Sequence, residues 1–496
     1  MRKLIGVAAA ALVAALVAPV AIAQDSAPLY IGQAVKPTQF HPLLAPPGGR
    51  ETRAIKRQIF DALVVQGDDL RVAPQLAESW VVTDDKVWVL KLREDVKFHN
   101  GEVFNAETVA FNLNRMLNPD SPAANSSTLR TLVESVVASG EYEVTITTKV
   151  PAPTLLTTLA FVELPPKALI EEIGDEKFAE HPVGTGPFEF VSRDGSTVVL
   201  KRNDSYWGGK PASPEITFQT IPELATRIAA LKAGEIHIAD QIPPDQIGEL
   251  TGDVAPMTVT GTRLYYLGMN VNVAPFDDVN IRRAVGKAVD RQLLVDSIYG
   301  GQARPLTTMA FPEMFGYDAN LAGFTYDAAA AKEVLSAVTV PVKVSVRQVD
   351  LVLAQATVGF LQAAGLKAEV EVVEDAAFGD LTTGGNAQAF VSSWGVAEGD
   401  VDAMLAPHFW SGRGDKRKYT NYANPEIDRI FEAGRSTTDA AKRQELYHEA
   451  LSILVDDAPW APLVNPSEIY GVSTSMTGWA PSSTGMYRLN AAAVAK

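Results

Sequence analysis

The chain has no cysteine. Disulfides are excluded, and so are a cysteine nucleophile and the modified cysteine that anchors a bacterial lipoprotein. Histidine is scarce, with six residues scattered over 496. His99 reads as a solvated residue beside a hairpin turn, because no second ligand stands at metal-binding spacing. Positive charge is outnumbered, 43 Lys and Arg against 59 Asp and Glu, for a net charge of −16. Without a basic stripe, nucleic acid is not an expected partner. The sequence contains no Gly-x-Ser-x-Gly elbow, no Ser-x-x-Lys and no His-Glu-x-x-His. An enzyme reading therefore has no candidate nucleophile, and neither a metal nor a cofactor is expected. Beyond residue 20 no apolar run approaches a membrane span. No internal repeat or low-complexity tract is present.

What the chain does have is bulk: 496 residues are too many for one ordinary core, so two or three domains are expected. A hydrophobic fraction of 47% against 21% charged residues describes a folded globular protein rather than a disordered one. At the N-terminus Arg2 and Lys3 precede an uncharged apolar run from Leu4 to Val20, then Ala21-Ile22-Ala23. This is the pattern of a secretory signal peptide cleaved after Ala23. It predicts a soluble periplasmic product.

Along the chain the periodicity predicts an α/β protein. Leu29 to Gly32 reads as a strand and Ile55 to Leu63 as a helix. Trp88, Leu90 and Leu92 alternate on one strand face. Asn100-Gly101 predicts a hairpin, since both residues tolerate positive φ. Asn105 predicts an N-cap for a helix bearing Val109, Leu113 and Met116. The glycines of His181 to Phe190 lack the Lys-Ser/Thr ending of a phosphate loop, and Pro187 removes a donor; a turn feeding a strand is predicted. Asp278 and Asp290 predict caps for two successive helices, the second ended by Gly300-Gly301. Strands follow at 341–346, 368–373 and 388–393, with a helix at 352–364 and a loop over 394–407. Asn424-Pro425 opens another helix.

Several phrases carry more than local structure. Asn270 to Arg291 reads Asn-x-x-x-x-Pro-Phe-Asp-Asp-x-x-Ile-Arg-x-Ala-Val-x-x-Ala-Val-Asp-Arg. Ala73-Pro74-x-Leu76-Ala77-Glu78-Ser79-Trp80, Leu92 to Val109, His181 to Phe190 and Asn203-x-x-Tyr206-Trp207 belong with it. Together they resemble the peptide/opine/nickel (family 5) solute-binding proteins of ABC importers. The resemblance implies a two-lobed α/β periplasmic-binding-protein fold with an extra subdomain inserted in the first lobe. The expected division is a signal peptide at 1–23, first lobe at 24–50, 185–265 and 473–496, inserted subdomain at 51–184, and second lobe at 266–472. It also implies ligand-induced closure and delivery to an inner-membrane ABC permease with its ATPases, by a protein expected to be a monomer.

The same resemblance nominates ligand-binding residues. Arg347 follows a strand as the arginine that takes a ligand carboxylate in dipeptide-binding relatives, and a guanidinium suits that task. A surface ion pair is its other reading. The segment Trp394-Gly395-Val396-Ala397-Glu398-Gly399-Asp400-Val401-Asp402 resembles the family's Trp-x-x-Asp-x-x-Asp-Pro-Asp. The aspartate that holds a peptide's ammonium is Ala397 here, with Glu398 next to it. Trp394 reads either as a wall for the ligand or as core. Trp394, Gly395, Glu398 and Asp400 are candidates from this segment. Phe40 is a candidate from the segment after the first strand, with core packing as its alternative. The expected ligand is a short peptide or peptide-like solute with a carboxylate. An opine, a γ-glutamyl compound, an oligosaccharide or a metal chelate is the alternative ligand. A secreted hydrolase and a chaperone-like binder are the alternative functions. Bare nickel is disfavoured by the absence of a histidine cluster.

Overall fold

A computed structural model describes residues 26–44, 49–120, 126–396, 398–412 and 418–495. The expected signal peptide and Ala397 lie outside them. Within them the chain builds two large mixed sheets, one four-stranded antiparallel sheet and two two-stranded sheets.

The first sheet runs Val254–Thr260, Val464–Ser473, Ile238–Ala239, Leu29–Gln33, Glu215–Thr220, Thr197–Arg202, Phe188–Asp194, and Ala303–Pro305 pairs with Val464–Ser473 off this path. Leu29–Gln33 is parallel to both its neighbours. Parallel strands need crossovers and end up covered on both faces; helix Leu224–Lys232 supplies one crossover. Leu29, Ile31, Ile216, Phe218 and Ile238 are all buried. The second sheet runs Ala368–Val372, Val342–Val346, Ala389–Gly395, Arg263–Met269, Trp460–Pro462. Helix Leu351–Ala363 makes the crossover from Val342–Val346 to the edge strand Ala368–Val372, ended by Gly365 at φ +92. This is the two-lobed α/β architecture expected. The third sheet, Ala77–Thr83, Val87–Leu92, Glu143–Thr148, Val133–Gly140, is wholly antiparallel and carries its own apolar core.

Local signals fixed the helix starts. Asp278 accepts from Asn280 N at 2.8 Å, Asp290 from Leu293 N at 3.0 Å, Asn105 from Thr108 N at 3.1 Å and Asn424 from Glu426 N at 2.9 Å. Each satisfies an amide that the helix itself leaves free. Gly184 and Gly186 are needed for close approach: a Cβ on Gly184 would stand 2.0 Å from Ile59 O.

Other expectations are corrected. The early helix is Arg50–Ile59, starting before Ile55 and ending before Leu63. Its Ala54, Ile55 and Ile59 pack into the first-sheet core with Ile170 and Phe178, not into the subdomain sheet. At the other end, residues 464–472, expected in the second lobe, pair in the first sheet. The 394–407 loop contains helix Val401–Phe409, whose Pro407 masked an apolar face of Val401, Leu405 and Phe409. In the hairpin only Gly101 takes positive φ. His99 is no free turn residue, since its ring bonds Gly186 O at 2.9 Å.

The chain passes between the two large sheets at adjacent places, Thr260 to Arg263 and Pro462 to Val464. Buried Asn465 ties them together. Its amide donates to Gly261 O at 2.8 Å and to Arg263 O at 2.7 Å, while Gly261 N donates to Pro466 O at 3.0 Å.

Asp61, just past the Arg50–Ile59 helix, ties subdomain to first lobe. Its carboxylate accepts from Gln75 Nε2 at 2.7 Å, Trp207 Nε1 at 2.8 Å, Thr185 Oγ1 at 3.0 Å and Tyr206 OH at 3.2 Å. Burial pushes the carboxyl up to about 6, against the pull of the Trp207, Thr185 and Tyr206 bonds. The folded chain thus holds this proton more tightly than the unfolded chain does. As far as Asp61 goes, stability is lost as pH rises from about 4 through 6, by about 3 kcal/mol. Urea titrations across that range should show a shallower decline for Asp61→Asn than for wild type. Parallel curves would place the titration elsewhere.

Candidate functional site

The cleft between the lobes is defined by what crosses it. The turn that joins Val64–Gln66 to Val72–Pro74 ends in Leu70, a residue at φ +59. Its side chain leaves the subdomain and joins the apolar cluster of the second lobe, with Leu264, Phe311, Met404 and Phe431. Gly399 receives it: a Cβ there would lie 2.4 Å from Leu70 Cβ. Thr438 Oγ1 also donates to Asp85 Oδ1 from the opposite side. The lobes are therefore held in contact through the subdomain.

On the second-lobe wall, Arg347 follows Val342–Val346 as expected. Its guanidinium donates to Asp350 Oδ2 through Nη2 at 2.7 Å and Nε at 3.2 Å, and it stands 5.8 Å from the Phe378 ring centroid. The ion-pair alternative thus describes it here, and its partner Asp350 is nearly fully buried. Trp394, opposite Leu264 on the second sheet, is half-buried and stands edge-on to His408 at 4.7 Å. It belongs to the margin of the second-lobe core. Gly395 ends the strand, exposed, opposite Arg263. Glu398 is exposed at the cleft, beside the Gly399–Leu70 contact.

Two candidates are turned away from solvent. Asp400 caps helix Val401–Phe409 with Oδ1, accepting from Asp402 N at 2.8 Å, and its Oδ2 accepts from Arg443 Nη2 at 2.8 Å. Both oxygens serve the second-lobe interior. Phe40 is 1% exposed in the first-lobe core, its ring 6.0 Å from that of Phe190. Neither lines the cleft.

Sequence reading missed a stripe of arginines on the first lobe. Arg50, Arg53 and Arg57 stand at i, i+3 and i+7 on helix Arg50–Ile59, so they share one face. Arg57 also lines a cavity of about 610 Å³ in the first lobe, with Gln58, Asp61, Tyr206, Met486 and Tyr487. That volume is in the range of small-molecule sites. Starting the helix at Ile55 removed two arginines from the pattern that would have revealed the stripe. Among the described residues no group of three histidine or carboxylate side chains could hold a metal ion.

With the two lobes, hinge and cleft in view, comparison with known proteins decides the family. Residues 71–416 match the model for bacterial extracellular solute-binding proteins, family 5 Middle. The chain belongs to this family. Among curated relatives, the glutathione-binding protein GsiB of Salmonella typhi is 29% identical over 459 residues, 88% of each chain. Among solved structures, HbpA2 from Haemophilus parasuis superposes with a TM-score of 0.86 at 23% identity, over 94% of this chain and 100% of that one. The periplasmic binding protein DppA from Helicobacter pylori, in complex with the peptide STSA, gives 0.76 at 22% identity, over 95% and 99%. GsiB and DppA are both named as binding proteins. No helix among the described residues is long and apolar enough to cross a membrane.

If closure of this solute-binding protein depends on Leu70, its loss should weaken ligand binding without unfolding the protein. Leu70→Ala keeps a Cβ at the strained position and removes the buried isobutyl group. The expected result is a roughly tenfold rise in Kd, from about 1.5 kcal/mol of lost burial. Solution scattering of the ligand-free variant should report a larger radius of gyration. An unchanged radius and Kd would show that the contact does not favour closure.

Proposed function

We propose that this protein is the periplasmic solute-binding component of an ABC importer. It captures a short peptide or peptide-like, carboxylate-bearing solute between its lobes and delivers it unchanged to an inner-membrane permease with its ATPases. The observation that carries this reading is the family match over residues 71–416, most of the subdomain and of the second lobe, on a chain with a two-lobed fold. Its physical counterpart is the pinned double crossing at Asn465, which lets two bodies move about one place. A ligand that touches both walls stabilises the closed arrangement by its differential affinity for it.

The choice of ligand follows the relatives and the cleft. GsiB is a glutathione-binding protein and the DppA structure holds a tetrapeptide. Ala397 replaces the acid that holds an ordinary peptide's ammonium in the family pattern, while Glu398 is exposed beside it. A γ-glutamyl peptide such as glutathione is therefore the first solute to test, ahead of opines, oligosaccharides and metal chelates.

A thermal-shift panel of reduced and oxidised glutathione, dipeptides, opines and oligosaccharides tests the reading. A ligand at 100 times its Kd stabilises the native state by about 2.7 kcal/mol, which raises Tm. The bound solute should be recovered intact by mass spectrometry. A panel without a shift, or a solute cleaved on incubation, would overturn the proposal.

A further inference from the structure

The hairpin that carries Leu70 also walls the cavity of about 610 Å³. Gln66, Asp68 and Ala73 line it from the hairpin, and Ala480, Met486 and Arg488 from the C-terminal segment. Among the described residues all of its lining lies at 57–75, 161–206 or 478–491, so the second lobe contributes nothing to it. The cavity is therefore separate from the cleft between the lobes. Arg488 fastens two of its walls together, donating to Asp68 Oδ2 at 2.9 Å and to Gln66 O at 2.7 Å.

Gln66 links this cavity to the turn that crosses to the second lobe. It is 7% exposed. Its Nε2 donates to Leu70 O at 3.0 Å, while its Oε1 is buried without a hydrogen-bond partner. A buried acceptor of this kind is unfavourable until a donor meets it. The charged residues of the lining are Arg57, Asp61, Asp68 and Arg488, two of each sign. Asp61 already accepts four hydrogen bonds, Asp68 is paired with Arg488, and Arg57 faces Glu163. An ion entering the cavity would find no counter-charge to spare. Val65, Ala73, Phe161, Pro187, Ala480 and Met486 supply apolar surface. What fits is an uncharged, largely apolar molecule with one hydrogen-bond donor.

We propose that this cavity is a second binding site, for an uncharged, largely apolar small molecule that donates to Gln66 Oε1. Such a molecule fixes a side chain whose other end holds the Leu70 carbonyl. It thereby stiffens the turn whose Leu70 side chain enters the apolar cluster of the second lobe. Occupancy of the cavity favours the closed arrangement, which couples it to the cleft without any shared residue. The inference goes beyond the solute-binding reading and does not depend on which solute fills the cleft.

The test uses N-phenylnaphthylamine, an uncharged apolar fluorophore with a single N–H donor, titrated into the full mature chain. Its fluorescence should rise to saturation at one molecule per chain. Ala73→Leu fills the cavity from the hairpin and should weaken the probe by about tenfold or more. Ala480→Leu fills it from the C-terminal segment and should do the same, so the result does not rest on the folding of one variant. Melting curves of the probe-free variants report that folding. Amide hydrogen exchange of wild type should slow over residues 64–74 when the probe binds. Gln66→Met keeps the bulk of the side chain and loses both hydrogen bonds. It should weaken the probe about 2- to 10-fold and abolish the slowing at Leu70. Absence of saturable binding, or folded filling variants that bind the probe as wild type does, would overturn the assignment. So would exchange that slows only in the second lobe, because the probe would then occupy another place. Saturable binding that leaves residues 64–74 unprotected would overturn the coupling to Leu70.

Discussion

The molecule depends on the place where its chain passes twice between two sheets. Asn465 makes those passages a single joint, because one buried amide holds the carbonyls of Gly261 and Arg263 together. A buried amide bonded in this way is costly to break, since the carbonyls would be left without partners. The lobes on either side have largely separate cores, and beside this joint and the contacts across the cleft their relation is fixed by Ala303–Pro305, which pairs with the start of Val464–Ser473. A solute-binding protein needs that separation: a stiff body on each side and softness confined to one line.

Across the cleft the contacts are of two kinds. Leu70 crosses as an apolar group and enters a pocket that Gly399 leaves open. Thr438 crosses as a polar group, its Oγ1 donating to Asp85 Oδ1 at an exposed edge. The first kind is indifferent to the identity of the solute and sets how readily the lobes come together. The second lies in water, where such a bond adds little to the net balance.

Much of this was legible in the sequence where the determining interactions are local. Asp278, Asp290, Asn105 and Asn424 cap helices through amides two or three residues away, and that signal needs no tertiary knowledge. The alternation of Trp88, Leu90 and Leu92 likewise announces a one-sided strand. Phe40 and Asp400 were harder for the opposite reason. Whether each meets solvent or core is decided by Phe190 and Arg443, far along the chain. Helix Val401–Phe409 was hidden by Pro407, a residue that beyond the first turn removes an intrahelical hydrogen bond and so reads as a stop. The arginine stripe was visible only if the helix began at Arg50, and helix boundaries are the least local part of any such pattern.

The strand Val464–Ser473 has one further implication. It lies inside the first sheet, between Val254–Thr260 and Ile238–Ala239, although more than two hundred residues of second lobe precede it in the chain. The opening strand, Leu29–Gln33, therefore belongs to a sheet whose interior is completed only by the last tenth of the polypeptide. Assembly of the first lobe is a long-range closure that local structure cannot finish early. A chain that folds from its N-terminal end stays incomplete there until its tail arrives, whereas the second lobe already has every one of its own strands.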